Sequence, residues 1–242
     1  NTTAHDNTAV GYKSLNANTT GYYNVGVGNS ALAANTSAIK NTALGYRALA
    51  DNTTGHRNTA AGTDALLNNT TGAYNSAFGQ DAMGLNTTGA NNTALGRATL
   101  YTNSTGSNNI AIGYNALNAS QTADDNTGIG YRTLVANTTG IRNVGVGNSA
   151  LGAITTASNC TAVGYKALNT TTQGNLTAVG AYALDANTTG DNCVAVGYAA
   201  LTANTTGGSN TAVGYEAMAA NTTGGNNTAV GRLALDANTT GA

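Results

Sequence analysis

From Asn7 onward the chain repeats a seventeen-residue phrase, N-T-A-V-G-Y-x-A-L-x-A-N-T-T-G-x-x, fourteen times. The copies begin at Asn7, Asn24, Asn41, Asn58, Asn75, Asn92, Asn109, Asn126, Asn143, Cys160, Leu176, Cys193, Asn210 and Asn227; one copy, 160–175, is a residue short. Such a period makes each copy a structural unit that buries its apolar side only against its neighbours. The expectation is one repeat array over 1–242, with a partial repeat in 1–6, rather than the one or two globular domains that length alone suggests. The chain begins and stops inside repeats with no atypical capping unit, which predicts an excerpt of a longer fibre.

Stacking the copies gives each repeat position its own chemistry. Position 5 is Gly in every copy, from Gly11 to Gly231, which implies a positive φ or an approach too close for a Cβ. Position 9 is Leu except at Met83 and Met218, position 4 is always apolar, and position 3 is only Ala or Gly. Alternation along a strand sends positions 2 and 4 one way and 3 and 5 the other. The expectation is that Val or Leu at 4 and Leu at 9 line the interior. The small Ala/Gly face is read as a surface for close packing of another chain, a tight bend being the alternative. Asn-Thr-Thr-Gly at positions 12 to 15 is turn chemistry, with Gly supplying positive φ. A strand is predicted at positions 1 to 6 and a second short extended piece around 8 to 10. Seventeen residues rich in Gly, Thr and Asn hold no 3.6-residue apolar stripe, so helix is not expected. The fold class is thus all-β, a parallel β-solenoid with seventeen-residue coils.

Charge is scarce and confined. Only 8% of residues are charged and the net charge is −1, which argues against steering of nucleic acid or of an anionic membrane surface. All nineteen charged side chains (nine basic, ten acidic) fall at positions 6, 7, 10, 11, 16 or 17, so these columns face solvent. No apolar run approaches the roughly 20 residues of a spanning helix, and no secretory signal is visible. Cys160 and Cys193 lie two coils apart, roughly 9.5 Å at a strand spacing of about 4.8 Å, too far for a disulfide. Two or three aliphatic side chains per coil set little burial against the ordering of seventeen backbones, so a homo-oligomer is expected over a lone coil.

Asn108-Asn109-Ile110-Ala111-Ile112-Gly113 and Asn192-Cys193-Val194-Ala195-Val196-Gly197 resemble the N-S-V-A-I-G motif of trimeric autotransporter adhesin heads. The NTAVGYxAL…NTTG wording is similar to repeats of phage-type tail-fibre proteins, and the likeness covers all fourteen copies. The resemblance implies a left-handed parallel β-roll assembled as a parallel homotrimeric fibre, extracellular, on a cell surface or virion. It also implies an adhesin head or tail-fibre shaft without catalytic chemistry, whose partners are itself and a host-surface glycan or matrix protein. The repeat is longer than the typical adhesin-head repeat, and Thr often replaces Val at position 2.

No residue pattern points to an enzyme, a metal or a cofactor. His5 and His56 are read as unrelated surface residues and Asp124-Asp125 as a solvated turn; no G-x-x-x-x-G-K-[ST] loop occurs. The best candidate binding column is position 6, with Tyr12, Tyr46, Tyr114, Tyr131, Tyr165, Tyr198 and Tyr215, stiff rings with polar tips. The plainer reading, that these rings cover the coil edge or pack between chains, carries more weight. Asn-Thr-Thr and related N-x-[ST] patterns make Asn18, Asn52, Asn69, Asn86, Asn137, Asn187, Asn204 and Asn221 possible glycan acceptors in a secreted eukaryotic or archaeal protein. Two further readings stay open: a structural filament assembled end to end, and an ice-binding solenoid using one of the Thr columns at positions 13 and 14.

Overall fold

The computed structural model describes residues 3–242, and the chain divides into two compact units, 1–124 and 125–242. The first holds strands β1 (Thr8–Val10), β2 (Val25–Val27), β3 (Thr42–Leu44), β4 (Thr59–Ala61), β5 (Ser76–Phe78), β6 (Thr93–Leu95) and β7 (Ile110–Ile112). The second holds β8 (Thr127–Ile129), β9 (Val144–Val146), β10 (Thr161–Val163), β11 (Thr177–Val179), β12 (Val194–Val196), β13 (Thr211–Val213) and β14 (Thr228–Val230). Within each unit consecutive strands pair in parallel, in chain order, with each residue over its own counterpart in the next coil: Thr42 over Thr59, Ala43 over Ala60, Leu44 over Ala61. The protein is an all-β parallel solenoid, and no helix occurs among the described residues.

The strands are shorter than the sequence suggests, three residues each, and the rest of the coil is turn. The second extended piece around positions 8 to 10 does not form. Position 7 and position 9 both adopt left-handed backbone, as at Arg47 (φ 54 at Lys13, 52 at Arg47) and Leu49 (φ 53). That conformation lets neighbouring side chains at 8 and 9 turn inward together, Ala48 and Leu49 both being fully buried. At position 9 the left-handed conformation costs about 1–2 kcal/mol, and burial of that residue's own Leu side chain, about 1.5–3 kcal/mol, offsets it.

The interior differs from expectation in one decisive way. Position 3 points in: Ala43, Ala60, Ala77 and Ala94 have no solvent exposure, whereas Val10, Leu44 and Leu95 at position 4 are 56%, 54% and 49% exposed. The small face is therefore the core face, and the larger aliphatics stand outside. The reason is bore. An ideal Cβ on Gly26 would lie 2.6 Å from the Ser14 hydroxyl of the preceding coil, and one on Gly145 would lie 2.9 Å from Thr133 Oγ1. At both places a larger residue at position 8 faces a Gly at position 3; where Thr99 precedes Ala111 instead, its hydroxyl turns to Gly96 O at 2.9 Å.

Two asparagine ladders fill the remaining interior. At position 12, Nδ2 of Asn52, Asn69 and Asn86 donates to Oδ1 of Asn35, Asn52 and Asn69 at 3.1, 2.8 and 2.7 Å. At position 1, Asn41 Oδ1 accepts the Asn58 backbone N–H at 2.8 Å while Asn41 Nδ2 donates to Gly55 O at 2.9 Å. Asn52 Nδ2 reaches the same Gly55 carbonyl at 2.9 Å, so one acceptor clamps both ends of the coil. These bonds satisfy buried amides that would otherwise be costly.

Glycine is required for two different reasons. At position 5, Gly28 has φ +139, and an added Cβ would lie 2.3 Å from Gly45 O. At position 15, Gly55 lies outside the left-handed region, contrary to the turn expectation; there it is space that matters, since a Cβ would meet Gly72 O at 2.2 Å. The sixteen-residue copy keeps strand register, with Thr161 over Thr177. Its missing residue is absorbed in the turn, where Thr171 Oγ1 accepts from Asn187 Nδ2 at 3.1 Å and from Gln173 N at 3.0 Å.

Candidate contact surfaces

No enclosed pocket and no group of three metal-ligating side chains occurs among the described residues. What the fold presents is a set of columns, each a surface one residue wide.

The first is the outward strand face. Position 2 supplies Thr, Val, Ile or, on β5, Ser76, and position 4 Val, Leu, Ile, Ala or Phe, so a mainly β-branched column and an apolar column run side by side up the ladder. Phe78 on β5 and Val163 on β10 are 41% and 37% exposed. No charged residue occurs in either column.

The second is the tyrosine corner. The seven position-6 tyrosines are between 40% and 67% exposed. Cations sit on several: Lys13 Nζ lies 5.4 Å from the Tyr12 ring centroid, Arg47 Cζ 5.0 Å from Tyr46, and Arg97 Cζ 5.7 Å from Tyr114. In the second unit Tyr165, Tyr198 and Tyr215 are brought into one run by Tyr182, which the position-6 reading missed because it occupies position 7. Tyr165–Tyr182 and Tyr182–Tyr198 meet edge to face at 5.2 and 6.0 Å, and Tyr198–Tyr215 stack at 5.4 Å. Lys166 and Arg232 flank this run, 5.6 Å from Tyr165 and Tyr215 respectively. The signal was available in the sequence: positions 6 and 7 follow one another on the same charged, exposed edge. These contacts lie within the chain and leave every position-6 tyrosine at least 40% exposed.

The eight candidate glycan acceptors are not on this surface or any other. Asn52, Asn69, Asn86, Asn137, Asn187, Asn204 and Asn221 are fully buried and Asn18 is 3% exposed. Six of their Nδ2 groups donate along the position-12 ladder, as at Asn204 to Asn187 Oδ1 at 2.9 Å, and those of Asn18 and Asn137 donate to Gly21 O and Gly140 O at 3.0 and 2.9 Å. In the folded coil the acceptor nitrogens are withheld from any transferase.

Several polar and charged groups elsewhere have local partners. Arg47 makes a bidentate pair with Asp64 one coil on, both bonds 2.8 Å, and that carboxylate raises the guanidinium's pKa further. Asp124 accepts the Ser107 N–H at 2.7 Å. His5 contacts Asp6 at 2.8 Å and stacks on Tyr22, while His56 meets Tyr74 edge to face, so each histidine belongs to an aromatic cluster. Cys160 and Cys193 are free, buried thiols that stand in for Asn at position 1; Cys193 Sγ donates to Gly207 O at 3.3 Å, the acceptor an amide would use. Burial pushes the Cys160 thiol up to about 11 and Cys193 in the same direction.

No family model matches the chain, and neither a curated protein nor a solved structure does.

Proposed function

We propose that this chain is a non-enzymatic segment of an extracellular fibre, an adhesin head or tail-fibre shaft that associates with copies of itself through its outward strand face. One observation carries the reading: a column of aliphatic side chains, Leu44 54% and Leu95 49% exposed among them, runs up an uncharged β-ladder. A contiguous apolar stripe of this kind marks an interaction surface. A second copy is the partner that fits. Its own stripe has the same coil spacing, so every contact made by one coil recurs at the next, as in closed symmetric assemblies. The parallel homotrimer and the left-handed roll follow from the resemblance of the Asn109–Gly113 and Cys193–Gly197 segments to adhesin-head motifs. The surface location and the contact with a host glycan or matrix protein rest on the same likeness. Multi-angle light scattering with sedimentation velocity tests the assembly. A trimer that Leu44→Asp with Leu95→Asp converts to folded monomer is expected, and a well-folded wild-type monomer at micromolar concentration refutes the proposal.

A second reading is favoured by the threonine columns. Position-13 hydroxyls are engaged, Thr53 Oγ1 donating to Thr70 O at 3.0 Å. Position-14 residues Thr54, Thr71 and Thr88 are exposed, and their hydroxyls have no protein partner. One regular column of free Thr hydroxyls is an ice-facing candidate. Absence of ice-recrystallisation inhibition at micromolar concentration removes it.

A further inference from the structure

Position 17 precedes the buried position-1 residue and adopts left-handed backbone in coil after coil: Tyr23 φ 58, Lys40 φ 59, Arg57 φ 58, Tyr74 φ 60, Asn91 φ 58, Asn159 φ 60. Asn and Asp tolerate that conformation best among residues with a side chain. The column follows this preference at Asn91, Asn108, Asp125, Asn159, Asn175, Asn192 and Asn226, with Arg142 and Ser209 as departures. Four successive coils in the first unit ignore it, carrying Tyr23, Lys40, Arg57 and Tyr74. Left-handed Lys, Arg and Leu also occur at positions 7 and 9, as at Lys13, Arg47 and Leu49, so what sets these four apart is their succession in one column otherwise rich in Asn.

Those side chains form a patch. The backbone ladder holds them in register, Lys40 N donating to Tyr22 O at 3.1 Å, Arg57 N to Ile39 O at 3.0 Å and Tyr74 N to His56 O at 3.1 Å. Tyr23 and Tyr74 are half exposed at the two ends, with Lys40 and Arg57 exposed between them. Arg57 is held against Tyr74, its Cζ 5.2 Å from the ring centroid and its Nη1 donating to the phenol oxygen at 2.5 Å. His56 braces the same ring from the side, centroids 5.5 Å apart. Lys40 and Arg57 stack as like charges on adjacent coils, roughly 4.8 Å apart at the backbone, an arrangement that opposes folding. No carboxylate relieves it. Asp6, the nearest acid in the column, contacts His5, while Asp51 and Asp64 both act on Arg47.

Two adjacent exposed cations with no carboxylate partner, set between two tyrosine rings, fit an anion that also has faces to stack. We propose that Tyr23, Lys40, Arg57 and Tyr74 bind an acidic polysaccharide, the cations taking its carboxylate or sulfate groups and the tyrosine rings the apolar faces of its pyranoses. A phosphate backbone is a poorer fit, because its charges stand apart from its ring faces, whereas an acidic pyranose carries its anionic group and its apolar face on one ring. The proposal gives a ligand class to the adhesive reading without depending on self-association.

The test is calorimetric titration at low salt with a heparin dodecasaccharide, beside a neutral dextran oligosaccharide and single-stranded DNA of matched charge. Saturable heparin binding is expected, with no dextran binding and markedly weaker DNA binding. Lys40→Asn with Arg57→Asn places the column's commonest residue at both sites, so thermal stability should hold or rise while heparin affinity falls at least tenfold. Tyr74→Ala should weaken heparin more than it weakens DNA, and Arg142→Gln, a lone cation of the same column, should change neither. Absence of heparin binding, equal binding of DNA, or unchanged affinity in the double Asn variant overturns the proposal. Light scattering on the same samples reports self-association separately.

Discussion

The clearest consequences at the scale of single residues come from breaks in the asparagine ladders. Ser120 occupies an Asn position, its hydroxyl is buried and unpartnered, and Asn103 Oδ1, which the next amide would have reached, is unpartnered as well. Ile154 makes a similar break, but there Asn137 Oδ1 accepts from Gly140 N at 3.1 Å instead. Ser120→Asn should therefore raise stability by about 1–2 kcal/mol, read from the midpoint of denaturant unfolding. The same change fails to help if the coil is too narrow there for a fourth heavy atom. Cys160 carries a pH signature. Its folded pKa, about 11, lies above the unfolded value near 9.0, so the neutral thiol is the form the fold prefers. Its contribution is fully present below pH 9 and is lost as pH rises through 11, because the unfolded state gives up its proton first. Thermal melts from pH 8 to 11 should fall more steeply for the wild type than for Cys160→Ala.

At the scale of one coil, packing is an agreement between neighbours. Gly26 faces Ser14 of the coil before, whose hydroxyl donates to Gly26 O at 2.8 Å. Gly26→Ala alone should cost about 1–3 kcal/mol by overpacking, whereas Ser14→Ala with Gly26→Ala recreates the pairing of most coils and should recover most of the loss. A double-mutant cycle showing additive costs would mean that the two side chains do not share a volume. This contact also explains which half of the coil was readable in advance. Leu at position 9 and Gly at position 5 have one physical use each, and the sequence shows both. Position 3 against position 4 is a choice between two alternating faces, and larger aliphatics ordinarily mark the interior. Only the width of the bore, a property of the turns at positions 7 and 9, reverses that choice.

At the scale of the whole molecule, the reversal moves the apolar surface outside, and this is what makes self-association the leading functional reading. The Leu44→Asp, Leu95→Asp substitutions should leave the far-ultraviolet circular dichroism of the chain unchanged while altering its mass in solution, since neither side chain supports the interior. Loss of secondary structure in that variant would show that coil stability is inseparable from assembly. The exposed columns were legible from confined charge alone. The basic, aromatic corner was not, because its four residues are ordinary surface types seventeen residues apart, and only the in-register stacking of coils brings them together.

The in-register ladder has one further consequence. Because Thr42 pairs with Thr59 and Asn41 with Asn58, each residue's nearest non-local partner is its counterpart in the next coil, often the same residue type. Removing one whole repeat from within a unit would leave every column joined to the same chemistry, whereas shifting a strand by one residue would offend all of them at once. Length is therefore the property this architecture holds most loosely: coils can be gained or lost as complete words while each word stays nearly unalterable.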